Sequence, residues 1–305
     1  MRPPLPRVDD GVRRRLTARF GAEAAPWFDE LPNLLRTLAE RWEIELGPSI
    51  PRGSVSVVIR CRLRDGRRGV LKVSPDRARL ANEAAGLESW ATPHAPAVLA
   101  LDARLGALLI EAIEPGTPLD ESAAYPSLER IAELLTSLHT DGVPDPSYPP
   151  VERRVAYLFD SSTRLYADHP ELAERVPPEL YERGRRLATR LAAHASPTVL
   201  LHGDLTPSNI LDGGKQRGLV AVDPAPCLGD AAFDAIDLVL WQAEEIETIE
   251  ARSDELALAI GVRPERLLAW CTAFAGMTAL ELASSPEAPS ELVDAAAALA
   301  ARTPA

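Results

Sequence analysis

The chain predicts an α+β fold in two lobes: a small one built on a five-stranded antiparallel sheet with one helix, and a larger one that is mainly helical. Three observations carry this. Short apolar runs separated by turn signals crowd the first 113 residues. After "EPGTPL" the apolar pattern changes to a helical period. The strand-like pieces of the second half then gather around one polar loop, in "VLLHGDLTPSNIL" at 199–211. The expected division is 1–113 for a first lobe with a helical N-terminal extension, and 114–305 for the second.

The elements follow in order. Residues 1–46 read as a polar start followed by a helix, with Leu31, Leu34, Leu35 and Leu38 at helical spacing. "WEIELGPSI", "SVSVVIRCRL" and "GVLKVS" are three strands, parted by turns at 51–53 and 65–69. "DRARLANEAAGLESWA" (76–91) is a helix, and "AVLALDA" and "GALLIEAI" complete the sheet. Helices are predicted over 126–140, 150–167, 178–195, 231–259, 263–283 and 289–302. Strand pieces are expected near 198–201, 209–212 and 218–222, and the Asp-Gly-Gly of "LDGGKQRGLV" signals a hairpin.

The 305 residues suffice for a sizeable core, and 46% apolar with 26% charged residues is ordinary for a globular protein. The net charge of −12 argues against nucleic acid or an anionic membrane as partner and is compatible with a cationic small molecule. Cys61, Cys227 and Cys271 are scattered, which fits reduced thiols rather than disulfides or a zinc site. No apolar run approaches ~18 residues, and the N-terminal charges precede no apolar segment, so a cytoplasmic protein without a membrane anchor is expected. No obligate protein partner is evident. Of the 33 basic residues only Lys72 and Lys215 are lysines.

His202-Gly203-Asp204 followed by Asn209 fits the catalytic-loop pattern in which an Asp precedes an Asn across four residues. An aspartate on a loop after a strand can orient an attacking hydroxyl or accept its proton, and an amide five residues on can ligate the magnesium that neutralises phosphates. Both groups must project into one cleft. A polar surface turn with a capping Asp would explain the loop alone, but it does not stand alone. "GLVAVDPAP" places Asp223 at the end of an apolar strand, where a second metal-ligating carboxylate belongs, and a hairpin would bring Asn209 and Asp223 to one edge. Lys72 lies on the third strand among apolar residues, suited to binding α- and β-phosphates as a compact charge. In so arginine-rich a chain, a lysine there implies a geometric requirement. Its expected partner is Glu83, favoured over Glu88 because Leu80, Ala84 and Leu87 mark a packed face. "PRGSVSVV" has one glycine, with the backbone N–H groups of Gly53, Ser54 and Val55 as candidate phosphate donors, and backbone groups from Glu111 to Ile113 could read the adenine edge.

Together these residues resemble the aminoglycoside phosphotransferase family, which has a protein-kinase-like fold. "GVLKVS", "NEAAGL", "LLIEAIEPGTPL", "HGD" and "VDPAP…GDAAFDAIDL" look most like its streptomycin and hydroxyurea phosphotransferase branch, over roughly 30–285. The resemblance implies Asp204 as the catalytic aspartate, Asn209 and Asp223 as magnesium ligands, and Lys72 with Glu83 as the phosphate-orienting pair. A protein kinase is disfavoured on the residues themselves. Gly203 stands where an arginine would pair with a phosphorylated loop, and no A-P-E follows Asp223. His139 reads as a packed helix-end residue. The acidic run from Glu244 and Glu245 to Glu255 reads by default as a solvated helix face, and alternatively as a site for ammonium or guanidinium groups of the acceptor.

The expectation is therefore a phosphotransferase using ATP (or GTP) and Mg2+ to modify a hydroxyl of a small, antibiotic-like molecule. The alternatives are a kinase for an endogenous sugar or amino alcohol, and a nucleotide-binding regulator without turnover.

Overall fold

Asp9 opens the first helix, α1 (Asp10–Phe20), by accepting the N–H groups of Gly11 and Val12 on its carboxylate. A 3-10 turn leads into α2 (Ala24–Arg41), whose Phe28, Leu31, Leu35 and Leu38 are buried at helical spacing. The structure is a computed structural model that describes residues 5–53, 55–122, 124–194 and 198–302. The sheet follows as β1 (Ile44–Ile50), β2 (Val57–Leu63) and β3 (Arg68–Val73). After α3 (Arg77–Ser89) come β4 (Val98–Asp102) and β5 (Ala107–Glu111). All neighbours are antiparallel, in the order β1-β2-β3-β5-β4.

The strand "VVIRCRL" shows how the sheet is sorted into faces. Val57, Ile59 and Cys61 are buried while Arg60 and Arg62 are exposed, the period of two that puts alternate side chains on opposite faces. Val57, Ile59, Leu71 and Val73 form one core with Val12, Leu16, Phe28, Leu35 and Leu38 from α1 and α2. The N-terminal helices thus supply the apolar cover of one sheet face. Lys72 alternates with Leu71 and Val73, so it leaves from the other face.

By its internal contacts the chain divides into two units. The first ends at Gly116 and the second begins at Thr117, with residues 90–94 belonging to the second. That short excursion has a physical anchor: His94 Nδ1 lies 2.7 Å from the Leu219 carbonyl, and the Ala221 N–H donates to the His94 carbonyl.

The second unit is mainly helical. It contains α4 (Leu128–Asp141), α5 (Val151–Ser162), α6 (Arg164–Asp168), α7 (Leu172–Arg175) and α8 (Pro178–Ala193). β6 (Val199–Leu201), β7 (Ile210–Asp212), the single turn α9 (Gly214–Arg217), β8 (Leu219–Ala221) and β9 (Cys227–Gly229) follow. The chain then forms α10 (Ile236–Leu240), α11 (Ile246–Ala259), α12 (Pro264–Ala283) and α13 (Ser290–Ala301). α12 is buried along most of its length, from Leu267 through Trp270 and Phe274 to Leu280, and packs against α8, α11 and α13.

Two expected helices are divided. The helix predicted over 231–259 is broken into a 3-10 segment, α10 and α11. No glycine or proline marks the break. Side chains impose it: Arg252 donates to the carbonyls of Val239 and Trp241, and the Tyr125 hydroxyl donates to that of Leu238, which satisfies groups a continuing helix would have used. The stretch 150–167 divides into α5 and α6. The expected hairpin of β7 and β8 forms and is closed by α9, with Gly214 N–H held by the Asp212 carboxylate.

Candidate active site

The strand β6 ends at Leu201 because it runs out of partner: Leu201 pairs with Cys227, the first residue of β9. The polar loop that follows is held by side chains from three directions. Asp234, buried beneath it, accepts the N–H groups of His202 at 2.8 Å and Gly203 at 2.9 Å. Arg154 of α5 donates from Nε to the Gly203 carbonyl at 2.6 Å and from Nη2 to Asp204 Oδ1 at 2.5 Å. The Asn209 Nδ2 donates to the Asp204 carbonyl at 2.8 Å. Gly203 has φ +75°, and a Cβ there would stand 2.2 Å from the Ala225 carbonyl oxygen. This backbone therefore has no room for the arginine that protein kinases carry at the corresponding place.

His202 acts inside this scaffold. Its Nε2 lies 3.0 Å from the Val222 carbonyl, and its Nδ1 accepts the Asp204 N–H at 3.3 Å. One donor and one acceptor is the pattern of a neutral imidazole. Burial lowers its pKa, against the opposing charges of Asp234 and Asp204. Burial would raise the Asp234 pKa. The hydrogen bond and charge of His139, 3.1 Å away, together with His202 and the Gly203 N–H, outweigh it and hold the carboxyl below its ordinary value. His139 is thus packed, as its place at a helix end suggests, but it is packed onto a working carboxylate.

Asn209 and Asp223 flank the β7–β8 hairpin. The Val222 N–H donates to the Asn209 carbonyl at 2.8 Å, which extends the ladder one step beyond Ile210 and Ala221 and sets Asp223 next to it. Asp223 has φ +61°, a left-handed conformation uncommon for a residue with a side chain. The pair offers an amide and a carboxylate oxygen, the hard donors that magnesium takes, and suits an ion that fills the rest of its shell with water and phosphate oxygens. Among the described residues no group of three or more His, Cys, Asp or Glu forms a cage sufficient by itself.

Beside Asp204 the second unit has a cavity of about 90 Å3. Its apolar wall includes Leu158, Phe233, Phe274 and Met277, and its polar wall Asp204, Asp237 and Glu281. Burial, with the carboxylates of Glu281 and Asp204 nearby, pushes the Asp237 carboxyl up to about 7. Burial also raises Glu281, partly offset by the Ser162 hydroxyl that donates to its Oε1 at 2.5 Å. Carboxyls crowded this way, with their pKa values raised, are suited to receiving a cation.

In the first unit Lys72 pairs with Leu108 and Val58 in the sheet. Its Nζ is hydrogen-bonded to Glu83 Oε1 of α3, and both side chains are almost fully buried. Glu88 is exposed. The turn before β2 is tied to α1 by Arg15, whose Nε donates to the Gly53 carbonyl at 3.0 Å and Nη2 to that of Pro51 at 2.9 Å. Gly53 has φ +110°, and a Cβ would come within 2.7 Å of the Ser56 carbonyl oxygen. The Val55 carbonyl accepts the Ser74 hydroxyl at 2.5 Å. Ser54 lies outside the described residues. The Glu111 N–H is used within the sheet, donating to the Ala97 carbonyl at 2.9 Å, so it is not a donor for an adenine edge; Ile113 is buried two residues further on.

A family model described as aminoglycoside/hydroxyurea antibiotic resistance kinase matches residues 41–285. The chain belongs to this family. A streptomycin 6-kinase of Streptomyces glaucescens is 28% identical over 268 residues, covering 82% of each chain. A hydroxyurea phosphotransferase of Kitasatospora aureofaciens is 28% identical over 265 residues, 83% of this chain and 73% of that one. The fold is shared with choline kinase from Streptococcus pneumoniae, at a TM-score of 0.58 and 14% identity over 90% of this chain and 99% of that one. The chain is therefore a small-molecule kinase of protein-kinase-like fold.

Within this kinase the structure brings Lys72 and Glu83 together in the first unit, and Asp204, Asn209 and Asp223 around one loop and hairpin in the second. Glu244 and Glu245 are not among the residues lining the Asp204 cavity. Both are exposed, just before α11, so the acidic side of that cavity comes from other residues. Arg154, Asp234, Asp237 and Glu281 are the polar residues that sequence reasoning missed. Asp234 and Asp237 sit in the "GDAAFDAIDL" segment that carried part of the family resemblance, and their spacing of three was the available signal. Arg154 had none: it is one arginine in a chain whose cations are nearly all arginine. None of the described helices is long and apolar enough to cross a membrane.

Proposed function

We propose that the protein transfers the γ-phosphate of ATP, with magnesium, to a hydroxyl of a cationic, streptomycin-like acceptor. The observation that carries this reading is the cavity beside Asp204, where Asp237 and Glu281 crowd carboxyl groups against an apolar wall. At about 90 Å3 it has room for one functional group of an acceptor rather than a whole antibiotic. A guanidinium or ammonium there would pair with the carboxyls, and its neighbouring hydroxyl would be presented to Asp204. The relatives named for streptomycin and for hydroxyurea differ in this respect, since streptomycin carries guanidinium groups and hydroxyurea is neutral. The acidic lining favours the former.

In the proposed reaction the acceptor oxygen forms a bond to the γ-phosphorus. The bond from that phosphorus to the β–γ bridging oxygen breaks with its electrons leaving on ADP, and the hydroxyl proton passes to the Asp204 carboxylate. Asp204 first orients the hydroxyl as a hydrogen-bond acceptor and then holds the proton. Lys72, kept extended by Glu83, is the proposed partner of the α- and β-phosphates. Asn209 and Asp223 would hold magnesium, which when bound neutralises phosphate charge.

The test is a screen for acceptor-dependent ADP release with magnesium, set out as streptomycin, other aminoglycosides, hydroxyurea, choline and neutral sugars. Release with streptomycin and not with the neutral compounds is expected. Release with sugars alone would replace the antibiotic reading with that of a metabolic kinase. Nucleotide binding without release for any acceptor would favour the regulator.

A further inference from the structure

The Asp204 loop has more restraint than its backbone requires. Asp234 holds the N–H groups of His202 and Gly203, and Asn209 holds the Asp204 carbonyl. The Arg154 contact to the Gly203 carbonyl belongs to the same bracing. Its second contact, 2.5 Å to Asp204 Oδ1, does something different: it ties down the side chain itself. A guanidinium is a planar fork whose donors are fixed relative to one another. With Nε committed to Gly203 and Nη2 to Oδ1, the position of Oδ1 is held, and Oδ2 is the oxygen turned to another partner.

The exposures point the same way. The Arg154 side chain is 9% exposed and that of Asp204 25%, so the pair is covered on the arginine side and open on the carboxylate side. Tyr157, one turn along α5, lies with its ring 5.3 Å from the guanidinium carbon, on which it can stack. A surface arginine with free rotamers would be a poor clamp. This one is packed, stacked and doubly hydrogen-bonded.

We propose that Arg154 is a positioning residue of the transfer reaction, holding the Asp204 carboxylate so that Oδ2 faces the acceptor hydroxyl. The proposal rests on Asp204 being the group that meets that hydroxyl. Arg154 acts through Asp204 and need not touch the acceptor. Since the attack geometry depends on that oxygen, an unclamped carboxylate samples orientations that do not react, and the loss falls on turnover rather than on nucleotide binding.

The experiment is a double-mutant cycle on the full chain with Arg154→Gln, Asp204→Asn and the double variant, and with Arg154→Lys beside them. Streptomycin is the acceptor probe with magnesium and ATP, and the slow hydrolysis of ATP, in which water takes the acceptor's place, is the second readout. Arg154→Gln is expected to lower kcat by about 10²-fold, leave the KM for ATP within about twofold, and melt close to the parent. Lysine keeps the charge and one of the two contacts, so it should recover part of the rate. In the Asp204→Asn background Arg154→Gln should cost nothing further, because the group it positions is gone. A near-parental kcat in Arg154→Gln would overturn the proposal, as would the same fractional loss with and without Asp204. If Arg154→Gln does not fold, Arg154→Lys decides alone: full activity on one remaining contact would overturn the clamp. An inactive Asp204→Asn beside an active Arg154→Gln removes this inference only, whereas an active Asp204→Asn removes the reading of Asp204 as well.

Discussion

Each unit of the protein places an ion pair among its candidate site residues, and the two pairs are built differently. Lys72 and Glu83 are dry, with side chains 2% and 4% exposed; Arg154 and Asp204 are half-open, at 9% and 25%. Charges taken out of water are expensive unless paired, so the first pair is bound up with the stability of its unit. The second is more open on its carboxylate side, as the proposed role of Asp204 requires. The lesson is that similar charge pairs can have separate duties. Removing a partner in the dry pair should be felt in folding, and in the open pair in rate.

The largest effect expected is on the open side. Asp204→Asn keeps the shape of the carboxylate and removes its capacity to take a proton. Turnover should fall by about 10²–10⁴-fold, the usual worth of a positioned acid–base group, while the melting temperature stays near that of the parent. Single-turnover rates and a thermal melt on the same sample check both halves. A large drop in melting temperature would erase the contrast between the pairs.

The dry pair should behave in the opposite way. Glu83→Leu removes the carboxylate hydrogen-bonded to the buried Lys72 ammonium, which should destabilise the protein by about 3–5 kcal/mol, as for other broken buried pairs. Combining Glu83→Leu with Lys72→Met removes both charges and should restore most of that stability in chemical denaturation, yet leave turnover lost. If the double variant is no more stable than Glu83→Leu, the pair is not the reason Glu83 matters for folding.

A third expectation concerns pH. The Asp237 carboxyl is raised to about 7 in the folded protein, chiefly by burial. An unfolded chain releases that proton near the ordinary carboxylate value of about 3.9. The contribution of this group to stability is therefore fully present below that value and is lost as pH rises through about 7. Acceptor binding should run the other way, because the ionised form attracts a cation. From pH 6 to pH 8 the KM for streptomycin should fall about tenfold if only the ionised form binds well. Asp237→Asn should flatten both curves, and a pH-dependent KM that survives this change would point to Glu281 instead.

The smallest effect is reserved for the exposed acidic run. Glu244→Gln with Glu245→Gln should change the acceptor KM by less than about twofold, since screened surface charges act weakly at a distance. A change as large as that of Asp237→Asn would mean that the acceptor extends well beyond the Asp204 cavity, and would return these residues to the binding site.

Much of this protein was legible in its amino-acid sequence. Short apolar runs bounded by turn signals marked the strands of the five-stranded sheet, and in β2 the alternation of apolar and charged residues also sorted the two faces. The H-x-D-x4-N spacing, the strand-borne Lys72 and the aspartate after "GLVAV" could be singled out as candidates because each has a local setting that the sequence shows, a loop after a strand, a strand or the end of a hairpin. Glu83 could be preferred to Glu88 because burial follows the helical period.

What lay outside that reach has one common feature: it is made by side chains distant in the sequence. The break between α10 and α11 has no glycine or proline to announce it, and depends on Arg252 and Tyr125 taking up the backbone carbonyls there. The acidic cavity draws Asp237 from one helix and Glu281 from another, while the nearer acidic run at Glu244 and Glu245 stays in solvent. Arg154 reaches Asp204 across fifty positions of chain. Local periodicity reports which face of an element is buried, because burial follows from hydrophobicity at each position. It cannot report which polar group meets which, because that depends on where packing places two elements, and only the tertiary structure decides it.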